Sequence, residues 1–262
     1  MEQRLKQLHR QKRMQTLFIA LGIAAITVWS AAETGFSPFV VFGGMEEIVR
    51  FVVYDFLPPD FSTFGKLVQP ALETIYISFV AMVVGALLSV VLAFFAAATT
   101  APHPAIQVAV RAFTSVLRNI PTLIWGILLV SAYGLGTLVG TLALILTSIG
   151  TLTRAYAEQL EEIDQGQVEA VRATGASYAQ VLTQAVLPQF FPGFIGWSLY
   201  KLELNVRAST LIGMVGGGGL GFAIQKGLKL FQFQEVSLAI LMVIALVFAT
   251  EFVTSKIRER II

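Results

Sequence analysis

The chain reads EAVRATGASYAQVLTQAVLP at residues 169–188, and this polar stretch interrupts a sequence that is otherwise strongly apolar. The interruption belongs to a longer polar segment at residues 158–190, which lies between two apolar runs that are each long enough to cross a membrane. A segment of this kind is expected outside the lipid, and its glycine and proline residues indicate how it folds.

The pattern within this segment predicts two short helices joined by a turn. The first helix is expected at residues 167–174, and Gly175 is suited to the left-handed conformation that closes a helix. Ser177 is suited to cap the second helix. Pro188 is expected to end that second helix before the next apolar run begins.

The composition places most of the chain in a membrane. Hydrophobic residues make up 56% of the chain and charged residues only 13%, whereas soluble domains carry about 25% charged residues. The mean hydropathy is +0.76, and the apolar runs lack the alternation of barrel strands, so membrane helices are predicted. The absence of cysteine excludes a disulfide framework and a thiolate metal site, and we expect neither a metal nor a cofactor in this chain. A net charge of +2 without a basic stripe argues against binding of nucleic acid.

Six apolar stretches approach the roughly 20 residues that a helix needs to cross a bilayer core. We place them at residues 14–32, 71–98, 112–131, 136–157, 191–214 and 236–255. The predicted fold class is therefore all-α, a polytopic membrane protein with about six transmembrane helices. Pro121, early in the third stretch, is expected to kink that helix or to sit in its first turn. We expect a first domain of one helix and an elbow at residues 1–70, and a core membrane domain at residues 71–262.

Charge at the two ends predicts that both termini are cytoplasmic. The first span is preceded by Arg4, Lys6, Arg10, Lys12 and Arg13, and the last is followed by Lys256, Arg258 and Arg260. An even number of spans agrees with this and puts residues 158–190 in the cytoplasm. A cleaved signal peptide is the competing interpretation of the N-terminus. Residues 33–69 would lie outside, either as an elbow along the membrane interface or as a loop with buried phenylalanines.

Charged side chains occur in the middle of the fifth span, at Lys201, Glu203 and Arg207. Each costs about 2.5–3.5 kcal/mol at a helix centre on insertion scales, so they are expected to face a wet cavity, another subunit or each other. Glu203 and Arg207 are four residues apart and are placed to pair on one face. Two interpretations stay open. One is an ion pair that only fixes helix packing; the other is a path for an anion, formed by Lys201, Glu203, Asn205, Arg207 and Ser209.

A cluster of glycines follows the fifth span. Gly216, Gly218 and Gly221 satisfy the G-x-G-x-x-G pattern of dinucleotide sites, but such a site requires a strand before the glycines. A membrane helix precedes them here, so we reject dinucleotide binding. We expect instead a glycine-rich constriction or re-entrant turn that lines a cavity, with Met214 and Val215 beside Gly216 and Gly218 as an apolar gate.

The spacing of residues 169–188 resembles the EAA loop of permease subunits from bacterial ABC importers. That pattern runs Glu-Ala-Ala, three residues, Gly, nine residues, an apolar residue, one residue and Leu-Pro; here Val171 and Ala185 depart from it and stay small or apolar. The resemblance implies that the loop receives force from a separate ATPase through Glu169, Ala170, Arg172, Gly175, Leu187 and Pro188. Glu169 and Arg172 share a helix face and are expected to pair. The alternative is an ordinary solvated loop.

A second resemblance narrows the family. The run SLYKLELNVRASTLIGMVGGGGLG at residues 198–221 closely resembles phosphonate ABC transporter permeases, as do FLPPDF at 56–61, RATG at 172–175 and FQFQ at 231–234. The resemblance covers about residues 50–262. It implies the type I ABC importer permease fold, a homodimer of this subunit, a dimeric ATPase, and a periplasmic or lipid-anchored substrate-binding protein. It also implies import of phosphonates, or relatives such as phosphite, across the bacterial inner membrane.

The sequence contains no Walker A motif, since Gly65-Lys66 is followed by leucine and lacks the upstream glycine. We therefore expect a transport subunit and not an enzyme, with ATP and Mg bound by the partner ATPase. Three alternatives stay open. The same machinery could carry another cargo, such as phosphate, an amino acid or a metal chelate. The chain could be a secondary transporter or channel that works without ATP, or a membrane enzyme, for which no acid–base or nucleophile constellation is visible.

Overall fold

The computed structural model describes the backbone of residues 2–261 and the side chains of residues 12–261. Within these bounds the regular elements are helices, and the predicted all-α class is confirmed. Contacts divide the chain after Asp55 into two compact units. The boundary expected at residue 70 falls inside a continuous helix, Phe64–Ala96, because the chain packs with the second unit from Phe56 onward.

The N-terminal unit consists of one long helix and shorter helical pieces. Helix α1 spans Glu2–Thr34, α2 spans Pro38–Gly43, α3 spans Met45–Arg50, and a π-helical turn follows at Phe51–Phe56. The part of α1 from Lys12 to Thr34 is long and apolar enough to cross a membrane, which agrees with the span predicted at 14–32. The side chains of Phe39 and Phe42 are 87% and 73% exposed, and the interfacial elbow stays a prediction.

The second unit contains the remaining helices. They are α4 (Phe64–Ala96), α5 (Pro104–Asn119), α6 (Thr122–Tyr133), α7 (Thr137–Glu161), α8 (Gln165–Ala173), α9 (Tyr178–Val181), α10 (Leu187–Ile212), α11 (Gly219–Lys229) and α12 (Phe233–Ile261). Helix α4 lies along α7, and α10 packs against α4, α7 and α12. Helix α5 packs against α7, and α11 packs against α4 and α12. The core of this unit is therefore built around α4, α7 and α10.

A short turn leads into α4 and ties its start to α12. Asp60 caps a 3-10 turn at Phe61–Thr63 by accepting a hydrogen bond of 3.0 Å from the N–H of Ser62. The hydroxyl and the backbone N–H of Ser62 lower the pKa of Asp60. The N–H of Asp60 in turn donates to the carbonyl oxygen of Gln234 at 3.2 Å, just inside the start of α12.

The expected number of about six membrane spans lies at the upper end of the four to six that the structure gives. In the described part of the chain, four helices are long and apolar enough to cross a membrane, and two bent pairs bring the number to six if each pair counts as one span. The four are α1 from Lys12, α4 with its leading turn, α7 and α12; the bent pairs are α5 with α6, and the helical path through α10 with α11.

The third predicted span, residues 112–131, is wrong as a single helix. Helix α5 ends at Asn119, α6 begins after Pro121, and the two differ in direction by 86°. Pro121 has no N–H to continue α5, and it disfavours a helical conformation at Ile120, whose ψ is 119°. The predicted effect of Pro121 is present, but it breaks the span rather than kinking it. Helix α6, with 12 residues, is too short to cross a bilayer alone.

A buried polar cluster joins the three central helices. The side-chain amide of Asn205 on α10 donates to Ser148 Oγ on α7 at 3.2 Å and to the carbonyl oxygen of Ser78 on α4 at 3.4 Å. All three residues are 0% exposed. Helices α4 and α7 approach closely beside this cluster because Gly85 has no side chain; a Cβ there would lie 2.5 Å from Ser148 Cβ. The cluster thus fixes α10 against both neighbours.

We expect the substitution Asn205→Ala to destabilise the protein by about 1–2 kcal/mol, because Ser148 and the Ser78 carbonyl would lose a buried partner. For a chain of this size the unfolding midpoint should fall by several degrees. Thermal unfolding of the purified protein in detergent measures this shift. Asn119→Ala, at an exposed position at the end of α5, is the matched control, and equal midpoints for the two variants would contradict the assignment.

Candidate functional site

The polar segment after α7 folds as the predicted helix–turn–helix. Asp164 caps α8 by accepting a hydrogen bond of 2.8 Å from the N–H of Gly166. Gly175 follows α8 with a φ of +82°, the left-handed conformation expected of it. Ser177 is the N-cap of α9, and its N–H donates to Gln180 Oε1 at 2.8 Å.

The prediction that Pro188 ends the second loop helix is wrong. Helix α9 continues through a π-helical turn at Leu182–Val186 into α10, which begins at Leu187. Pro188 is tolerated because it lies in the first turn of α10, directly after a wider π-helical turn, where its missing N–H matters least. The second loop helix and the fifth span are therefore one helical path, which runs from Tyr178 to Gly217.

The loop is anchored to the membrane helices by its apolar side chains. Val168, Val181 and Ala185 are buried in one cluster with Leu160 and Ile163. Gln189 at the start of α10 accepts a hydrogen bond of 3.0 Å from the N–H of Asp164 and donates to the carbonyl oxygen of Ala185 at 2.8 Å. These contacts make the loop and the beginning of α10 one packed body.

The other face of the loop carries exposed charges. Glu169, Ala170 and Arg172 are exposed, as are Leu187 and Pro188. The expected ion pair between Glu169 and Arg172 is wrong, since it is not among the ion pairs formed by residues 12–261. An exposed pair gains only about 0–1 kcal/mol, too little to hold two flexible side chains together. Both charges are left for solvent or for a partner.

One face of α10 is buried against its neighbours. It carries Ser198, Lys201, Asn205 and Ser209, and Lys201 is only 6% exposed. Ser198 Oγ lies 2.7 Å from the hydroxyl of Tyr156 on α7. The helices around α10 would have to move apart for Lys201, Asn205 or Ser209 to line a path, and their assignment to one stays a prediction.

The charges on the remaining surface of α10 pair with α12 and not with each other. Arg207 Nη2 lies 3.5 Å from Glu251 Oε2, and Glu203 Oε1 accepts from Arg258 Nη2 at 2.9 Å. The expected pair of Glu203 with Arg207 is therefore wrong, because α12 brings a partner of opposite charge to each residue. The side chains of Arg207 and Glu251 are both 52% exposed, whereas that of Glu203 is 12% exposed.

The glycines after α10 form a sharp turn. A π-helical turn at Gly213–Gly217 contains Gly216 with a φ of +111°, and Gly218 has a φ of +83°. The direction then changes by 52° into α11, as the expected turn requires. Helices flank the glycines on both sides, which agrees with the rejection of a dinucleotide site. Met214 and Val215 are partly buried beside this turn, and their role as a gate stays a prediction.

The glycine turn and the start of α11 are held by two residues of α4 and by the residue before α7. The N–H of Gly136, before α7, donates to the carbonyl oxygen of Gly216 at 2.9 Å. At the start of α11, the N–H of Gly219 donates to Glu73 Oε2 at 3.1 Å, and the N–H of Leu220 donates to Thr74 Oγ1 at 2.9 Å. Sequence reasoning missed Glu73. Its signal was that it is the one carboxylate among residues 64–96, which marks a residue in need of a partner inside a membrane.

Known proteins are similar to this chain in sequence and in fold. A family described as the binding-protein-dependent transport system inner membrane component matches residues 89–261. The phosphite transport system permease protein PtxC of Stutzerimonas stutzeri is 41% identical over 203 residues, which are 78% of this chain and 74% of that protein. The phosphate-import permease protein PhnE of Mycolicibacterium smegmatis is 38% identical over 207 residues, which are 79% of this chain and 39% of that protein.

Solved structures extend the similarity to the fold. A chain of the MetNI methionine ABC transporter, in an inward-facing conformation, superposes with a TM-score of 0.65 at 22% identity, over 78% of this chain and 99% of that one. At that identity the likeness concerns the fold alone, and it agrees with the all-helical importer-permease architecture predicted from the sequence. With the family match over most of the second unit, the chain belongs to the binding-protein-dependent transport system inner membrane components.

Proposed function

We propose that this chain is the membrane subunit of an ATP-driven importer that carries phosphonate-type oxyanions, phosphite included, into a bacterial cell. The observation that carries the substrate class is the 41% identity to a phosphite transport permease. A half-exposed arginine on a membrane helix, Arg207, supports it, because guanidinium groups bind oxyanions through paired hydrogen bonds.

The energy for transport comes from a partner ATPase, which binds ATP and Mg. The sequence has no Walker A motif of its own, and the exposed loop with Glu169 and Arg172 offers a surface for such a partner. Because α9, the π-helical turn after it and α10 follow one another without a break from Tyr178 to Ile212, a displacement of the loop moves α10 as a body. The glycine turn lies at the far end of that path. The chain changes direction there, so α11 need not move together with α10.

The assembly has two copies of this chain, two ATPase subunits and a substrate-binding protein on the outer side of the inner membrane. One chain offers one loop of this kind, and a dimeric ATPase needs two. Both termini lie in the cytoplasm, which is supported by the basic residues at each end of the sequence. The loop at residues 158–190 then faces the cytoplasm, where the ATPase is.

The runner-up is the same machinery with another solute, such as an amino acid. The likeness to a methionine transporter is one of fold at 22% identity, so it does not favour that cargo over an oxyanion. A secondary transporter is disfavoured because the exposed loop would have no partner to receive force from. Co-purification of the chain with an ATPase decides between the two mechanisms.

We expect Gly175→Val and Glu169→Lys to leave the protein in the membrane but to abolish ATP hydrolysis stimulated by the binding protein. A side chain at Gly175 opposes its φ of +82° at a cost of about 1–3 kcal/mol, and a lysine at 169 reverses an exposed charge of the docking surface. Gly65→Val, at a helical position with open space around it, and Glu46→Lys, in the N-terminal unit, are the matched controls. Normal stimulation of ATP hydrolysis in both loop variants would contradict the assignment of this loop as the surface that couples to the ATPase.

We expect the intact complex to contain two copies of this chain, related by a two-fold axis along the membrane normal. Native mass spectrometry of the complex released from membranes measures the number of copies. A complex with one copy, or with a different second permease, would refute the homodimer.

We expect the double variant Arg207→Gln with Glu251→Gln to assemble normally and to transport at least about ten-fold more slowly, because it removes charged hydrogen-bond donors and leaves no unpaired partner. Uptake of labelled phosphite into proteoliposomes measures the rate. The matched control is Lys256→Gln with Glu259→Gln, which removes an exposed ion pair of the same length, 3.5 Å. Transport near the unmodified level in the Arg207 variant would mean that this pair only fixes helix packing.

A further inference from the structure

Three arginines surround a hollow where α5 packs against α7. Arg111 and Arg118 of α5 and Arg154 of α7 line a cavity of about 190 Å³, together with Ser115. The two helices approach closely because Gly150 has no side chain; a Cβ there would lie 2.7 Å from the backbone nitrogen of Arg118. Apart from Glu158, the first residue of the 158–190 segment, no lining residue belongs to the loop or to the charged face of α10.

Two of the three arginines already have carboxylate partners. Arg111 Nη2 lies 2.5 Å from Glu161 Oε1, and its Nε donates to the carbonyl oxygen of Ala96 at 2.7 Å. Arg154 Nε lies 2.6 Å from Glu158 Oε1. These contacts hold both guanidinium groups at the hollow and leave several of their N–H donors without a protein partner, since each group has five.

Arg118 is the exception. Within residues 12–261 its side chain has neither an ion pair nor a hydrogen bond, although it lines the same hollow. Counting the two paired carboxylates against the three arginines leaves one positive charge, which is that of Arg118. The hollow is therefore electropositive at the residue that has no partner.

The position of the hollow argues against direct contact between its arginines and lipid tails. Arg154 lies seven residues before the end of α7 at Glu161, roughly 10 Å inside at 1.5 Å per residue. An arginine exposed to lipid tails inside a bilayer costs about 2.5–3.5 kcal/mol or more. We therefore expect the guanidinium groups of Arg154 and Arg118 to contact water, a lipid headgroup or an anion.

The size of the hollow fits one small oxyanion. At roughly 30 Å³ per water molecule, 190 Å³ holds about six waters, enough for a phosphorus atom, its oxygens and a little solvent. The three guanidinium groups and the hydroxyl of Ser115 then surround such an anion with donors. Arginine suits this ligand because its planar fork matches two oxygens at once.

We propose that Arg118, with Arg154 and Arg111, binds a phosphate-type oxyanion where α5 packs against the half of α7 that leads into the loop. Two sources share this chemistry: a free oxyanion that is leaving the transport path, and the phosphate of an anionic lipid headgroup. Only the first source rests on the proposed function, and the site itself rests on the geometry of the three arginines.

Binding to the full chain, purified in nanodiscs with the partners that stay attached, tests the proposal. Methylphosphonate is titrated in zwitterionic lipid and followed by phosphorus NMR, and retention of phosphatidylglycerol from mixed nanodiscs is followed by native mass spectrometry. The key variant is Arg118→Gln, which leaves no carboxylate unpaired; Arg260→Gln, at an exposed position near the end of α12, is the matched control. An ATPase also binds phosphate groups, so only the binding that is lost on Arg118→Gln counts.

We expect Arg118→Gln to weaken the bound oxyanion by about ten-fold or more, as loss of a charged hydrogen bond implies, while Arg260→Gln changes nothing. Loss of methylphosphonate binding supports the site with a free anion as its ligand, and loss of phosphatidylglycerol alone supports it with a lipid as its ligand. If Arg118→Gln does not fold, Arg154→Gln with Glu158→Gln removes donors from the hollow without a change in net charge. Unchanged binding of both ligands in a folded variant overturns the site, whereas stimulated ATP hydrolysis by the same preparation would leave the proposed function intact.

Discussion

The rest of the structure depends on the contacts of α10 with α4, α7 and α12. Polar groups inside a bilayer must find partners within the protein, and these contacts supply them. Asn205 joins α10 to both α4 and α7, and Glu203 joins it to Arg258 of α12. A helix fixed on three sides in this way has little freedom to rotate alone. Any movement imposed on one of its ends is therefore passed along it, and its neighbours must follow or slide.

The two ends of this helix differ in a way that suits such movement. At one end the loop is packed on α10 through Val181 and Ala185 and bonded to it through Gln189. At the other end the chain turns through glycines with positive φ values, a conformation that other residues adopt at a cost. The connection at the loop end is therefore rigid, whereas the other end is a turn whose backbone is defined by glycine. Glu73 and Thr74 of α4 accept hydrogen bonds from the first two N–H groups of α11, just beyond that turn.

Two arginines in different parts of the second unit, Arg207 and Arg118, are in a similar electrostatic situation. The side chain of Arg207 is half-exposed and lies beside one carboxylate, that of Glu251. Arg118 lines the hollow between α5 and α7 and has no carboxylate partner among residues 12–261. Both lie on helices that belong to membrane-crossing segments, where an unpaired charge is costly unless water or an anion reaches it. An importer of oxyanions needs favourable but weak contacts along the way, because a site that binds too tightly would hold its cargo.

The sequence by itself determined the helical class, the loop of two helices and the left-handed glycine at 175, since these follow from local composition and backbone preference. It also indicated that the charges of the fifth span need partners. Only the tertiary structure decided which partners they have: Glu251 and Arg258 lie more than 40 residues away along the chain from Arg207 and Glu203, and spacing along one helix carries no information about another. The continuation through Pro188 was likewise visible only in the structure, because the π-helical turn before this proline allows it to be accommodated in the first turn of α10.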